Sequence, residues 1–408
     1  MVGRHVEPLP GALRAHPPRP LHLPRDRHRG GEAVTGSFHL VAVNFRDPGH
    51  PEAGGAELHL EEILLEAVRR GMRVTWLASG FPGGAPEATH RGMRVMRRGA
   101  WWNFNWVAAR TLARELSSPP PDLVVEDINK VPCFTPGWTR SAVSVIVPHL
   151  FGWTAFREAS WPVALYVVAL ESWIPRVYRR ARFLAISEST RDDLVRRGIA
   201  PERVSVVHCG LDHETYRPAG GDAKQPAPTV LFIGRLRRYK GLDWVIRAMP
   251  RVLRQVPEAR LEVIGDGPYR SSLESMAARL GVSRSVEFRG FLPRAEKACR
   301  LRGAWALVQP SPKEGWGLTV VEAGACGTAV VAADSPGLRD SVRRDVTGLL
   351  VPFGDDGALA DALIRVLTDR PLRERLAAGG IEWAARFRWV DCARASLDAL
   401  LAGAGRAP

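Results

Sequence analysis

The sequence predicts an α/β protein made of two parallel-sheet domains in tandem, facing one another across a cleft. Three observations carry this. Short apolar, β-branched runs alternate with helical apolar spacing through most of the 408 residues. The alternation is interrupted once, by a polar, Pro/Gly-rich link over 218–228, and then restarts with the same grammar. Glycine-bearing turns follow the first strand of each half, at the strand ends where open parallel sheets bind ligands.

In chain order, residues 1–36 form a basic, Pro/Arg/His-rich tail without apolar periodicity, expected to be disordered. The first strand is expected over 39–45, followed by the loop Pro51-Glu52-Ala53-Gly54-Gly55. A helix follows with Leu60, Ile63, Leu64, Ala67 and Val68 on one face, ended by Gly71, and then a strand over 72–79. Further strands are expected over 123–128, 144–148, 183–186 and 204–208, which completes a first domain over 37–217. After the link, strands are expected over 230–234, 260–265, 286–289, 306–309 and 329–333, with helices such as 242–255 and 318–325 between them. This second domain spans 229–385, and 386–408 is expected to be a helix returning to the first domain.

Composition narrows the function classes. The five cysteines are dispersed and no Cys-x-x-Cys occurs, so neither a disulfide framework nor a zinc site is favoured and a reducing, cytoplasmic setting is expected. No apolar run approaches the ~18 residues of a membrane-spanning helix, and arginines and prolines interrupt any secretory signal core. The net charge of +14 favours anionic partners. The basic residues scatter instead of forming a stripe with interleaved aromatics, so nucleic acid is not expected among them.

Two stretches carry chemistry. In Ser311-Pro312-Lys313-Glu314-Gly315-Trp316-Gly317-Leu318-Thr319-Val320-Val321-Glu322, a strand ends, a two-glycine loop follows and an apolar helix begins. The free N–H groups at such a helix start make an anion site, and the glycines let backbone approach a phosphate closely. Glu314 and Glu322 flank that start; a surface loop before an ordinary helix is the plainer reading of the same residues. In Gly234-Arg235-Leu236-Arg237-Arg238-Tyr239-Lys240-Gly241, Arg235 leaves a strand and Lys240 enters a helix. Two cations so placed suit a diphosphate leaving group; a solvated basic turn is the alternative.

In these segments the chain resembles glycosyltransferase family 4. The marks occur in order: Gly54-Gly55-Ala56-Glu57 after the first strand, His149 at a strand end, Cys209-Gly210-Leu211-Asp212, and the 234–241 stretch. Gly265-Asp266-Gly267-Pro268, Gly290-Phe291-Leu292-Pro293, Glu314 with Glu322, and Thr347-Gly348-Leu349-Leu350-Val351-Pro352 complete the series. The resemblance implies a GT-B fold, with two Rossmann-like domains and a nucleotide-diphosphate sugar as donor. It implies catalytic roles for His149, Arg235, Lys240 and Glu314. Donor contacts are implied for Gly54, Gly55, Gly234, Gly267, Leu292, Gly315, Trp316, Gly317, Leu318, Thr319 and Glu322. It also implies retention of anomeric configuration without a metal or other cofactor; no Asp-x-Asp stands in the chain to hold a divalent ion beside the phosphates. The sequence departs from the family at Trp316, where Phe is common, at Cys209, where Asn is usual, and at 335–340, where a usual glutamate is replaced. These departures bear on donor specificity.

The acceptor is less defined: a glycan, a lipid or lipid-linked acceptor, or a small molecule. Glu126, Asp127 and Asn129 stand just after a strand, so acceptor contacts are expected there. Trp101-Trp102-Asn103-Phe104-Asn105-Trp106 could stack on a sugar or pack in the core. Residues 161–182 mix apolar side chains with Arg176, Arg179, Arg180 and Arg182; this reads as a core helix with a basic end, or as a peripheral contact with an anionic membrane. The rival to an enzyme is an inactive GT-B-like protein that binds anionic partners. Two paired carboxylates and two cations in one constellation argue against it.

Overall fold

The structure is a computed structural model and describes residues 38–157, 159–218, 220 and 224–404. The tail expected over 1–36 lies outside the described residues, as do 219 and 221–223 of the expected link and the last four residues of the expected C-terminal helix. The first half runs β1 (His39–Val43), α1 (Gly55–Arg69), β2 (Arg73–Ala78), β3 (Glu87–His90), β4 (Met93–Arg97), α2 (Phe104–Arg114), β5 (Leu123–Asp127) and β6 (Ala142–Val147). It continues with α3 (Trp161–Ser172), α4 (Ile174–Val177), β7 (Arg182–Ala185), α5 (Glu188–Arg196) and β8 (Val204–Val206). The second half runs β9 (Thr229–Ile233), α6 (Leu242–Gln255), β10 (Arg260–Ile264), α7 (Arg270–Arg279), β11 (Val286–Gly290), α8 (Arg294–Gly303) and β12 (Ala306–Gln309). Then come α9 (Leu318–Ala325), β13 (Ala329–Ala333), α10 (Leu338–Ser341), β14 (Gly348–Val351), α11 (Asp356–Thr368), α12 (Arg370–Ala384) and α13 (Trp389–Leu401).

The strands form two sheets, ordered β3-β4-β2-β1-β5-β6-β7-β8 and β11-β10-β9-β12-β13-β14. Every pairing is parallel except β3 with β4. Central strands such as β1, β9 and β13 are buried along their whole length, as expected of parallel strands covered by helices on both faces. Helices supply those covers with one apolar stripe: α6 buries Leu242, Val245, Ile246, Met249 and Val252 at helical spacing. Each such side chain contributes roughly 1.5–3 kcal/mol of burial. Helix α13 packs on α1 and on β7 in the first half, and Ser144 Oγ donates to the Leu400 carbonyl at 2.8 Å.

Strand order fixes where a ligand can sit. Strand β1 lies between β2 and β5, and β9 lies between β10 and β12, so chain direction across the sheet reverses at β1/β5 and at β9/β12. Crevices at the carboxyl ends of strands open at such reversals. The loops leaving β1, β9 and β12 carry Gly54, Arg235 and Glu314 respectively, and β5 itself ends on Asp127.

Candidate active site

The two halves meet on glycines. A Cβ on Gly315 would lie 2.9 Å from the Pro148 carbonyl oxygen and 2.9 Å from Ile186 Cδ1, so the loop after β12 presses on the end of β6 immediately before His149. A Cβ on Gly55 would lie 3.0 Å from Leu318 Cδ1, which sets the N-terminus of α1 against that of α9. Gly317, with φ 81°, turns the chain into α9. Two helix starts with free N–H groups therefore face one cleft. The Gly54 N–H is taken by Glu57 Oε2 at 2.7 Å. Leu318 and Thr319, in the first turn of α9, are half-buried.

Lys240 Nζ donates to Glu314 Oε1 at 2.5 Å, and Gln309 Nε2 donates to the same oxygen at 3.1 Å. Burial pushes the Glu314 carboxyl up, but the Lys240 ammonium outweighs it and holds the group below the usual carboxylate range. Burial likewise disfavours the charged lysine, and Glu314 reverses that, raising Lys240. Both groups are thus held ionised. The lysine expected at the diphosphate and the glutamate expected at the sugar are thus direct partners in this structure, a pairing that the sequence reading did not include. Arg235 is exposed at the end of β9. His149 stands edge-on to Phe151 with ring centroids 5.2 Å apart. Burial, with Lys313 and Lys240 nearby, lowers its pKa to about 4, so the imidazole is neutral at physiological pH.

Glu322 accepts from Lys297 Nζ at 2.9 and 3.0 Å, and Lys297 lies 5.0 Å above the Tyr216 ring. Sequence reasoning missed Lys297 and Tyr216, because residues of α8 and of the segment before β9 carry no motif that ties them to Glu322. Close backbone approach explains the Gly265/Gly267 segment. A Cβ on Gly265 would fall 2.0 Å from the Gly234 carbonyl oxygen, and one on Gly267 would fall 2.5 Å from that of Leu236. The Gly234–Leu236 and Gly265–Gly267 backbones therefore run in contact. Leu292 packs on the second half's core.

Two expected contacts do not survive. Trp316 is 2% exposed, stacks on His208 at 4.1 Å and meets Phe387 edge-on at 5.2 Å. Its side chain packs the junction of the two halves, which leaves its backbone and not its ring for a donor contact. Glu126 is 1% exposed, and both its oxygens are consumed. They accept from the Cys133 and Thr135 N–H groups, Thr135 Oγ1 and the Tyr178 hydroxyl, all at 2.6–3.1 Å. It braces the 133–135 loop, and its buried oxygens are not open to an acceptor. Glu126→Ala is expected to lower stability by roughly 3 kcal/mol, since it strands buried donors, while the acceptor KM of the folded enzyme stays unchanged. Thermal melts and acceptor titrations check this.

Asp127 and Asn129 sit differently. Asn44 Nδ2 donates to Asp127 Oδ2 at 3.0 Å, and Asn129 Nδ2 donates to Asn44 Oδ1 at 2.8 Å and to Glu57 Oε1 at 3.3 Å. Asp127 Oδ1 and Asn129 Oδ1 are buried without a protein partner among the described residues. Burial, with Glu57 and Glu126 nearby, raises the Asp127 carboxyl well above its ordinary value. Asn44 at the end of β1 joins this network and was not singled out from sequence. The halves are also latched beside the site: Lys313 Nζ reaches Asp193 Oδ2 at 3.3 Å, and the Ser189 N–H donates to Asp340 Oδ2 at 3.0 Å.

Comparison with known proteins agrees with this geometry. The family model described as glycosyl transferases group 1 matches residues 216–383, and that described as glycosyltransferase family 4 matches 53–215. A D-inositol 3-phosphate glycosyltransferase of Frankia alni is 41% identical over 216 residues, 48% of this chain and 52% of the relative. That match and others like it span only about half the length of those relatives. A protein of the same name from Xylanimonas cellulosilytica is 36% identical over 425 residues, 93% of this chain and 99% of the relative. Among solved structures, sucrose-phosphate synthase from Thermosynechococcus elongatus superposes with a TM-score of 0.75 at 22% identity, over 88% of this chain and 97% of that one. Anabaena HepE in complex with UDP-glucose gives 0.71 at 20% identity, over 90% and 100%. At these identities the likeness concerns the fold, which is the two-domain GT-B architecture. A relative matched over almost its whole length, on a chain whose two sheets converge these strand-end loops on one cleft, makes this chain a member of glycosyltransferase family 4.

Proposed function

We propose that the protein is a retaining hexosyltransferase that moves a sugar from a nucleotide-diphosphate donor to a hydroxyl of a glycan, a lipid-linked sugar or a small polyol. The observation that carries the reading is the Lys240–Glu314 pair beside the facing starts of α1 and α9, with neutral His149 opposite. The HepE structure holds UDP-glucose, which supports a uridine donor here. Relatives named for D-inositol 3-phosphate support a polyol acceptor.

In this reading the diphosphate lies across the start of α9, where Arg235 and Lys240 neutralise the charge that grows as the sugar–phosphate bond breaks. Glu314, already fixed by Lys240 and Gln309, orients sugar hydroxyls, and the His149 imidazole approaches the sugar from the first half. Glu322, braced by Lys297, holds the ribose. The acceptor hydroxyl enters on the side of Asp127 and Asn129, whose unpartnered oxygens can accept hydrogen bonds from neighbouring hydroxyls. The departing phosphate oxygen takes the acceptor proton on the face where the bond broke, so configuration is kept without a protein nucleophile. The remaining work is positioning. No divalent ion is required in this scheme, because the side chains and helix starts supply the positive charge. Thermal melts with UDP-, GDP- and ADP-sugars test the reading: one donor class should raise the melting temperature, and no shift with any of them would sink it.

A further inference from the structure

The first half exposes large aromatic side chains that its core does not use. Trp101 is 70% exposed, Trp153 78% and Trp161 71%, and Trp102, Trp106 and Trp173 are also exposed, with Val163, Leu165 and Tyr166 between them. These come from three segments that the fold brings together. Asn105 Nδ2, at the start of α2, donates to the Tyr166 hydroxyl of α3 at 3.1 Å. Buried Glu171 of α3 accepts from the Phe151 and Gly152 N–H groups at 2.7 and 2.9 Å, which anchors the 3-10 turn Gly152–Arg157 on that helix. Helix α3 is apolar around nearly its whole circumference, yet it buries only Ala164 and Glu171.

The charges in the segments of this face are mostly basic, with Glu158 between the turn and α3 as an exception. Residues 99–114 contain no acid, and the single acid of 161–182 is the buried Glu171. Arg110 and Arg114 on α2 and Arg176 after α3 are exposed, whereas Arg179 and Arg180 line a separate cavity with Arg140, Ala142 and Gly403. Arg176 lies 5.6 Å over the Trp173 ring. Tryptophan rings prefer the boundary between lipid headgroups and chains, and arginines beside an apolar surface add attraction to anionic lipid. An acidic protein surface would match the same charge and is left as an outcome of the test; exposed tryptophans beside arginines favour the lipid boundary.

The face also leads to the cleft. Trp153 stacks on Phe156 with centroids 5.6 Å apart. Phe156 in turn lines a cavity of about 420 Å³ with Arg238, Tyr239, Gly241, Trp244 and Pro312, next to the turn that carries Lys240. We propose that the aromatic face of α2, the Gly152–Arg157 turn and α3 docks on an anionic lipid bilayer, and that the enzyme takes its acceptor from that bilayer along Trp153 and Phe156. The acceptor half of this proposal rests on the transferase reading above; the docking half does not.

The test is co-sedimentation of the full chain with vesicles of phosphatidylcholine alone and of phosphatidylcholine mixed equally with phosphatidylglycerol, without donor. The wild type should bind the anionic vesicles and leave the neutral ones largely free. Trp161→Ser with Trp173→Ser, and Arg110→Glu with Arg176→Glu, should each weaken partitioning at least about tenfold. These side chains are exposed, so unchanged melting curves should accompany the loss, and the wild-type comparison of the two vesicle types stands without any variant. Equal binding to both vesicle types, or variants that bind like wild type, would overturn the proposal. So would a wild type that ignores vesicles but self-associates through the tryptophans, since the face would then be a protein interface. A donor-induced melting shift is read separately, so failure of docking and failure of the transferase reading are distinguishable.

Discussion

Lys240→Ala is expected to lower kcat by about 10²–10³-fold, or about 2.7–4 kcal/mol, with a smaller change in donor KM. Charge on the leaving diphosphate increases as the bond to the sugar breaks, so its partner matters more in the transition state than in the bound donor. The variant also leaves Glu314 without the ammonium 2.5 Å away, and an unpaired, mostly buried carboxylate destabilises a site by itself. Lys240→Ala combined with Glu314→Ala separates the two causes. If Lys240 serves only to hold Glu314, the double variant is no slower than Glu314→Ala alone. If Lys240 meets the phosphate, the double variant is slower than Glu314→Ala. Single-turnover rates on the three variants decide this, and near wild-type rates in Lys240→Ala or in the double variant would remove Lys240 from the mechanism.

Glu322→Ala is expected to act on binding. The donor KM should rise roughly 10- to 100-fold while kcat changes little, because a ribose contact is the same before and during bond breaking. The size follows from a charge-assisted hydrogen bond of about 1.5–3 kcal/mol. Lys297 would lose the carboxylate that it touches at 2.9 and 3.0 Å, so Lys297→Met should reproduce part of the effect by leaving Glu322 free to swing. Steady-state kinetics with varied donor, checked by calorimetry with the free nucleotide, measure it. A fall in kcat at unchanged KM would place Glu322 at the sugar rather than the ribose.

Much of the fold is legible because the central strands are short β-branched runs and the helices carry one apolar stripe. Helices 242–255 and 318–325 and strands 306–309 and 329–333 have the bounds read from sequence. The β3–β4 hairpin was not read. Its first strand, Glu87–His90, is an exposed edge with no apolar alternation, and its turn is marked only by Arg91 and Gly92, both with positive φ. The site shows the same division. Motif spacing places Glu314 and Lys240 at strand ends, but they stand 74 residues apart, and only the sheet order that sets β9 beside β12 makes them a pair. Trp316 and Glu126 show what spacing cannot reach. A strand-end position says where the backbone lies. Whether the side chain turns inward depends on His208, Phe387, Tyr178 and Thr135, which arrive from other segments.

In the proposed reaction this cleft breaks a sugar–phosphate bond with protein cations as the clamp and with retention at the anomeric carbon. Proton NMR of the product formed from the matching α-linked donor, in buffer containing EDTA, tests it most directly. The expected result is an α-linked product whose rate of formation EDTA leaves unchanged. A β-linked product, or activity that vanishes with EDTA and returns with Mg²⁺, would contradict it.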